Sequence, residues 1–171
     1  IDCLQMGDIY ALIGPESQGI DTWDAADDLA TEVGGAGALP DAPLSVTGPG
    51  EESGTYVSFV ELAIEDIAEE RGQPHETRAD YQASADDNVI LQGIQGSPGG
   101  LGWVGYAFAR DAEGIRILGA DDGAGCVTPD DATIATNEYP LSRPLFIYVN
   151  AQHAQDEPAL VSPASQTPKV A

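Results

Sequence analysis

The sequence predicts an α/β fold in which helices flank a mixed central sheet. Three observations predict it. Residues 56–68 carry apolar side chains at helical spacing, residues 44–47 and 145–149 are short apolar segments typical of buried strands, and the two kinds of element alternate along the chain. A chain of 171 residues is long enough for one compact domain or lobe.

The first third is predicted to contain two helices, over residues 4–13 and 22–33, followed by a loop rich in Gly and Pro at 34–43. A short strand over 44–47 then ends at the turn 48–50. This pattern of a strand, a glycine turn and a long helix is the clearest in the sequence.

The strongest element is the helix that begins near residue 56 and ends near Gly72. Its apolar positions recur at i, i+3, i+4, i+7, i+8, i+11 and i+12, which is a complete buried stripe. They are Tyr56, Phe59, Val60, Ala63, Ile64, Ile67 and Ala68. The outward face is acidic and includes Glu61, Glu65 and Glu69. We therefore expect one face against a core and the other in solvent.

The second half is predicted to contain two more helices and three strands. One helix begins at a cap on Ser84 and extends to about residue 95, and another follows Thr128. The strands are predicted at 101–109, 115–118 and 145–149. Residues 151–171 are Pro-rich without an apolar period, so they predict an extended or disordered tail after a single α/β lobe over 1–150.

Composition excludes several classes of function. The chain has 29 acidic and 6 basic residues, a formal net charge of −23, so no nucleic-acid partner is expected. No apolar stretch is long enough for a membrane helix. The sequence opens on Ile1 without a leader pattern, so we expect it to begin inside a longer protein or after processing. The two cysteines lack metal-site spacing, and both a disulfide and two free thiols remain open.

The turn between the strand and the long helix is a candidate anion site. It reads GPGEESGT over 48–55, and it directs backbone N–H groups and the hydroxyls of Ser53 and Thr55 toward the positive end of a helix dipole. Gly54 allows an oxyanion to approach closely. The alternative is a plain helix cap in a loop of turn-forming residues. No Lys follows the glycines as in a P-loop, and the nucleophile pattern Gly-x-Ser-x-Gly is absent.

Arg78 is the candidate cation for the same anion, because a guanidinium offers forked hydrogen bonds to an oxyanion. Asp80 could orient it. The alternative is an ordinary surface ion pair between the two. The paired carboxylates elsewhere lack the spacing of a calcium loop, so neither a metal nor a cofactor is expected.

Three segments carry a family resemblance. They are DYQASADDNVILQGI at 80–94, LGWVGYA at 101–107 and YPLSRPLFIYV at 139–149. They closely resemble the PstS family, the phosphate-binding proteins of bacterial phosphate ABC transporters. The turn at 48–56 is similar to the phosphate loop of that family, and the surroundings of Cys3 and Cys126 are also similar. The resemblance extends over residues 1–150.

The resemblance implies the second lobe of a two-lobed, type II periplasmic-binding-protein clamp that holds phosphate between its lobes. It assigns Ser53, Gly54, Thr55 and Arg78 to phosphate, with Asp80 less firmly as a support for Arg78. It favours a disulfide between Cys3 and Cys126. The implied partners are inorganic phosphate, a first lobe of the same protein that is missing here, and an ABC transporter permease. The implied location is extracytoplasmic, and no catalysis is implied.

Two alternatives remain open at this point. The lobe could be a structural or interaction module at a cell or particle surface that keeps the fold, or it could bind another oxyanion such as sulfate. The acidic, Lys-poor composition also leads to the hypothesis of a halophilic host, because high salt screens the self-repulsion of such a surface.

Overall fold

A computed structural model describes residues 1–144 and 146, and it confirms the α/β class. The strands are β1 (Cys3–Gln5), β2 (Ser45–Gly48), β3 (Gln82–Ala83), β4 (Gly100–Gly102) and β5 (Gly119–Asp121). The α-helices are α1 (Met6–Ile13), α2 (Asp27–Glu32), α3 (Gly54–Phe59), α4 (Glu65–Arg71), α5 (Asp87–Gln95), α6 (Tyr106–Ala109) and α7 (Asp131–Ala135). Short 3-10 turns occupy Pro15–Ser17 and Asp24–Ala26, and a π turn occupies Val60–Ile64.

The strands form two small parallel sheets. The three-stranded sheet has the order β3-β2-β4, with Thr47 opposite Gln82 on one side and opposite Gly102 on the other. The two-stranded sheet pairs β1 with β5, and Cys3 lies opposite Gly119. In the part of the chain that the structure describes, antiparallel pairing is confined to two isolated bridges.

A disulfide joins Cys3 to Cys126, as the resemblance implied, with the two Cα atoms 6.2 Å apart. It fastens β1 to the segment that follows β5, across a sequence separation of 123 residues. The chain-entropy model assigns a loop of this length about 5 kcal/mol of stabilisation.

The predicted long helix is confirmed as a continuous helical segment made of α3, the π turn and α4. Its stripe is buried at Tyr56, Phe59, Val60 and Ile64. Gly72 ends it with a positive φ of 65°, a conformation that favours glycine. Arg71 lies in the last turn, where a cation suits the helix dipole.

The core lies between these helices and the sheets. Tyr10, Leu12, Ile64 and Ile90 are its largest fully buried side chains. Among the described residues, no helix has the length and apolar character needed to cross a bilayer.

Several predicted boundaries are wrong. The strand predicted over 101–109 is β4 followed by α6, in which Phe108 stays exposed. Residues 115–118 form no strand, and the ladder with β1 begins at Gly119, whose N–H donates to the Asp2 carbonyl at 2.8 Å. The predicted helix over 4–13 begins at Met6, because the preceding residues belong to β1.

Carboxylates replace the hydroxyls predicted as helix caps. Asp86, not Ser84, caps α5 by accepting the Asn88 N–H at 2.9 Å. Asp130, not Thr128, caps α7 by accepting two N–H groups of the first turn at 2.8 Å. Asp and Ser are about equally good at this position, so residue type alone did not distinguish them. The predicted strand at 145–149, apart from Phe146, and the predicted tail at 151–171 lie outside the described residues.

Candidate functional site

The carboxyl ends of three parallel strands meet at one edge of the larger sheet. β2 ends at Gly48, β3 at Ala83 and β4 at Gly102, and a loop leading to a helix follows each. β2 is the central strand, and its neighbours β3 and β4 lie on opposite sides of it. Such an edge is where open α/β sheets bind ligands.

The predicted anion turn lies directly after β2. Ser53 caps α3, its Oγ accepting the Thr55 N–H at 3.1 Å, and its own N–H donates to the Gly50 carbonyl at 2.9 Å. The first turn of the helix has N–H groups without an intrahelical carbonyl partner. At Gly54 an added Cβ would meet no atom within 4 Å, so the space beside the Gly54 Cα is open.

The turn packs against a cluster of three aromatic side chains, Phe59, Tyr81 and Trp103. The ring of Trp103 stacks on Phe59 with ring centroids 4.7 Å apart, and it meets Tyr81 at 5.2 Å. Gly48 approaches Trp103 so closely that a Cβ would lie 2.6 Å from the indole ring. The Tyr81 hydroxyl donates to the Pro49 carbonyl at 2.7 Å. These contacts fix the position of the turn relative to the end of β2.

The Arg78 guanidinium is held in a cage of protein acceptors. Its Nε and Nη2 donate to the Asp80 carboxylate at 2.6 and 3.0 Å. Nη2 also donates to the Ile20 carbonyl at 2.8 Å, and Nη1 to the Leu12 carbonyl at 3.4 Å. The side chain is only 6 % exposed. The cage therefore uses four of the five guanidinium N–H groups and leaves one on Nη1.

Asp80 accepts these two bonds from Arg78, and it also accepts the Gly19 N–H at 2.8 Å. The hydrogen bonds from Arg78 lower the pKa of the Asp80 carboxyl, and that from Gly19 adds to the effect. Asp80 is therefore a carboxylate near neutral pH, and it neutralises much of the charge of Arg78.

A cleft of about 380 Å³ lies between the anion turn and Arg78. Arg78, Thr77, Tyr56 and Tyr81 line one part of it, and residues 50–52 line the other. The structure thus places Arg78 across this cleft from residues 50–52 of the turn. Ser53, Gly54, Thr55 and Asp80 are not among the lining residues of the cleft, although Ser53 directly follows its rim.

Sequence reasoning missed the two tyrosines of the cleft. Tyr56 accepts the Thr77 N–H at 3.4 Å through its hydroxyl oxygen, and Tyr81 holds Pro49, so both connect the turn to the segment that carries Arg78. Burial raises the pKa of Tyr81. The sequence did offer one signal for Tyr81, because this aromatic residue directly follows the candidate pair Arg78 and Asp80.

No histidine is a hydrogen-bond partner of Ser53 among the described residues. The Ser53 Oγ accepts the Thr55 N–H, and the exposed His75 faces Glu65 at 3.6 Å. Within residues 1–144 and 146, no three side chains of His, Cys, Asp or Glu are grouped as metal ligands. The features described at this edge of the sheet are a capped helix turn and one guanidinium held by protein acceptors.

Comparison with known proteins finds relatives among phosphate-binding proteins. The chain is 43 % identical to protein SphX of Synechocystis over 125 residues, which cover 71 % of this chain and 35 % of that protein. It is 31 % identical to the phosphate-binding protein PstS of Staphylococcus saprophyticus, over 68 % of this chain and 34 % of that protein. This chain is a homologue of the SphX and PstS phosphate-binding proteins. No protein-family model matches it.

The fold of this PstS homologue is also found in solved structures. A possible phosphate-binding protein from Planctomyces limnophilus matches with a TM-score of 0.70 and 28 % identity, over 96 % of this chain and 55 % of that one. PstS from Borrelia burgdorferi matches with a TM-score of 0.64 and 22 % identity, over 97 % and 60 %. The chain spans about a third of the length of the curated relatives that it matches.

Proposed function

We propose that this chain is a lobe of an extracytoplasmic solute-binding protein that binds inorganic phosphate for an ABC transporter and catalyses no reaction. One observation carries the proposal: a buried guanidinium lies across a cleft from a glycine-rich helix turn, in a homologue of phosphate-binding proteins. The ligand residues are Ser53, Gly54, Thr55 and Arg78, and Asp80 orients Arg78.

The proposed mechanism replaces the water around phosphate with fixed donors. The N–H groups at the start of α3 and the hydroxyls of Ser53 and Thr55 approach one side of the anion. The Nη1 of Arg78 approaches another with a charge-assisted bond. In the complete receptor, a second lobe closes over the cleft, and the permease receives the loaded form.

The charge of −23 is compatible with this site. Exposed charges are screened beyond about 8–10 Å at moderate salt, whereas the donors act at hydrogen-bond distance. The carboxylates of Glu51, Glu52 and Glu76 line the cleft, so a fully deprotonated anion is opposed at its rim. We therefore expect specificity and affinity to come from short contacts and not from long-range attraction.

Calorimetric titration of the folded chain with phosphate tests the proposal, with sulfate at equal ionic strength as the comparison. The lobe supplies only part of a clamp, so the titration extends to tens of millimolar. We expect binding to weaken about tenfold on Ser53→Ala and more on Arg78→Gln, since a hydrogen bond to a charged group contributes about 1.5–3 kcal/mol.

Two matched controls accompany these variants. Asp130→Ala removes a helix cap of the same kind as Ser53 but on α7, and Arg110→Gln removes an exposed arginine paired with Asp111. Both should leave phosphate binding unchanged. Silence of the folded protein toward phosphate would support a structural or interaction module instead, and preference for sulfate would make the ligand a different oxyanion.

A further inference from the structure

The loop at residues 14–21 carries much of the cage around Arg78. The Ile20 carbonyl accepts from the Arg78 Nη2 at 2.8 Å. The Gly19 N–H donates to the Asp80 carboxylate at 2.8 Å. The position of this loop therefore decides where the guanidinium and its counter-charge lie.

A second ion-pair group holds the other end of the same loop. The Arg71 Nε and Nη2 donate to the two oxygens of the Glu16 carboxylate at 2.6 and 2.9 Å, a bidentate pair. The hydroxyl of the fully buried Tyr10 donates to Glu16 at 2.8 Å. Glu16 is only 21 % exposed, and Arg71 lowers the pKa of its carboxyl.

The chain between these two ends is short and tightly packed. Ser17 is fully buried, and its Oγ donates to the Gly14 carbonyl at 2.7 Å. The Ile20 N–H donates to the Ser17 carbonyl at 3.0 Å. Only three residues separate Glu16 from Ile20, so a displacement of Glu16 is transmitted to the acceptors of Arg78.

We propose that Arg71 and Glu16 are positioning residues that set the orientation of the Arg78 guanidinium through the 14–21 loop. This inference rests on the proposed function. Arg71 lies at the end of the helical segment whose beginning carries the anion turn, so the one segment aligns both halves of the site. The alternative is that the Arg71–Glu16 pair stabilises the fold without affecting Arg78.

The test combines phosphate titration with an NMR signal that reports Arg78 directly. The chain has five arginines, so it gives five Nε–H signals, and Arg78→Gln identifies the one from Arg78. We expect Arg71→Gln to move that signal and to weaken phosphate binding about tenfold, the scale seen when outer partners of metal ligands are removed. Arg71→Lys, which keeps the charge, should lie between Arg71→Gln and the natural chain.

A milder variant and a charge control complete the design. Tyr10→Phe removes one hydrogen bond from Glu16, and it should move the Arg78 signal in the same direction by less. It also serves if Arg71→Gln does not fold. Arg110→Gln changes the net charge equally and should move neither readout. An unmoved Arg78 signal in folded Arg71→Gln and Tyr10→Phe would overturn the inference.

The two proposals fail in different ways. The NMR signal is read without phosphate, so the positioning role is tested whatever the ligand is. If Arg78→Gln binds phosphate as well as the natural chain, the proposed function is wrong. If Arg78→Gln loses binding but Arg71→Gln binds normally, only the positioning role is wrong.

Discussion

Replacing Asp80 with Asn should destabilise the lobe by about 1–2 kcal/mol at neutral pH. The carboxylate accepts three N–H groups, from the Arg78 Nε and Nη2 and from Gly19. Its Oδ2 accepts both the Arg78 Nη2 and the Gly19 N–H, so an Asn whose amide oxygen takes that place keeps two bonds and turns its N–H₂ group toward the Arg78 Nε. One lost bond to a charged group, at about 1.5–3 kcal/mol, gives an upper value. Because Asp80 is 37 % exposed, solvent screening reduces it.

The difference in unfolding free energy is measured by urea unfolding of the natural chain and of Asp80→Asn, monitored by circular dichroism at pH values from 7 to 3. Arg78 lowers the pKa of Asp80. The contribution of this carboxylate to the free energy of unfolding is therefore complete above the ordinary pKa of 3.8, and it is lost as pH falls through the lowered pKa. The gap between the two proteins should therefore narrow only in acid. A difference under about 0.5 kcal/mol at pH 7, the usual range of surface substitutions, would refute the reasoning. So would a gap that does not change with pH.

Three further predictions concern stability. Cys3→Ala with Cys126→Ala should lower the melting temperature by roughly 10–20 °C, from about 5 kcal/mol of chain entropy; an unchanged melting temperature would mean that the thiols are not joined. Gly48→Ala should cost about 1–3 kcal/mol in unfolding free energy and change the near-UV signal of Trp103, because the new Cβ meets the indole; a neutral result would contradict the close approach. Thermal stability should rise from low to molar NaCl, because each of the five arginines is already ion-paired and most carboxylates remain uncompensated; a flat or falling curve would argue against a halophilic role for the surface charge.

The long helix and the glycine-rich turn before it could be predicted because their signals are local. The stripe from Tyr56 to Ala68 has a period that only a helix satisfies, and the glycine turn precedes it directly. The π turn at Val60–Ile64 left no such signal, because the buried positions stay in register with the apolar residues.

The cage around Arg78 could not be predicted from local patterns. Its acceptors on Leu12 and Ile20 are backbone carbonyls about sixty residues away, and every residue has a carbonyl. The Arg71–Glu16 pair could not be predicted either, because an acidic chain offers many possible partners for each arginine. Short strands such as β5 were misplaced because three residues are too few to show a period.

The parallel pairing of Cys3 with Gly119 has a consequence for the order of folding. The three-stranded sheet is assembled from residues 45–102, but β1 finds its partner only when the chain has been made beyond residue 119. Such distant contacts form slowly, since a long loop must close first. The helix that follows β1 supplies Leu12 to the cage of Arg78. We therefore expect the cage around Arg78 to be among the last parts of the fold that a growing chain completes.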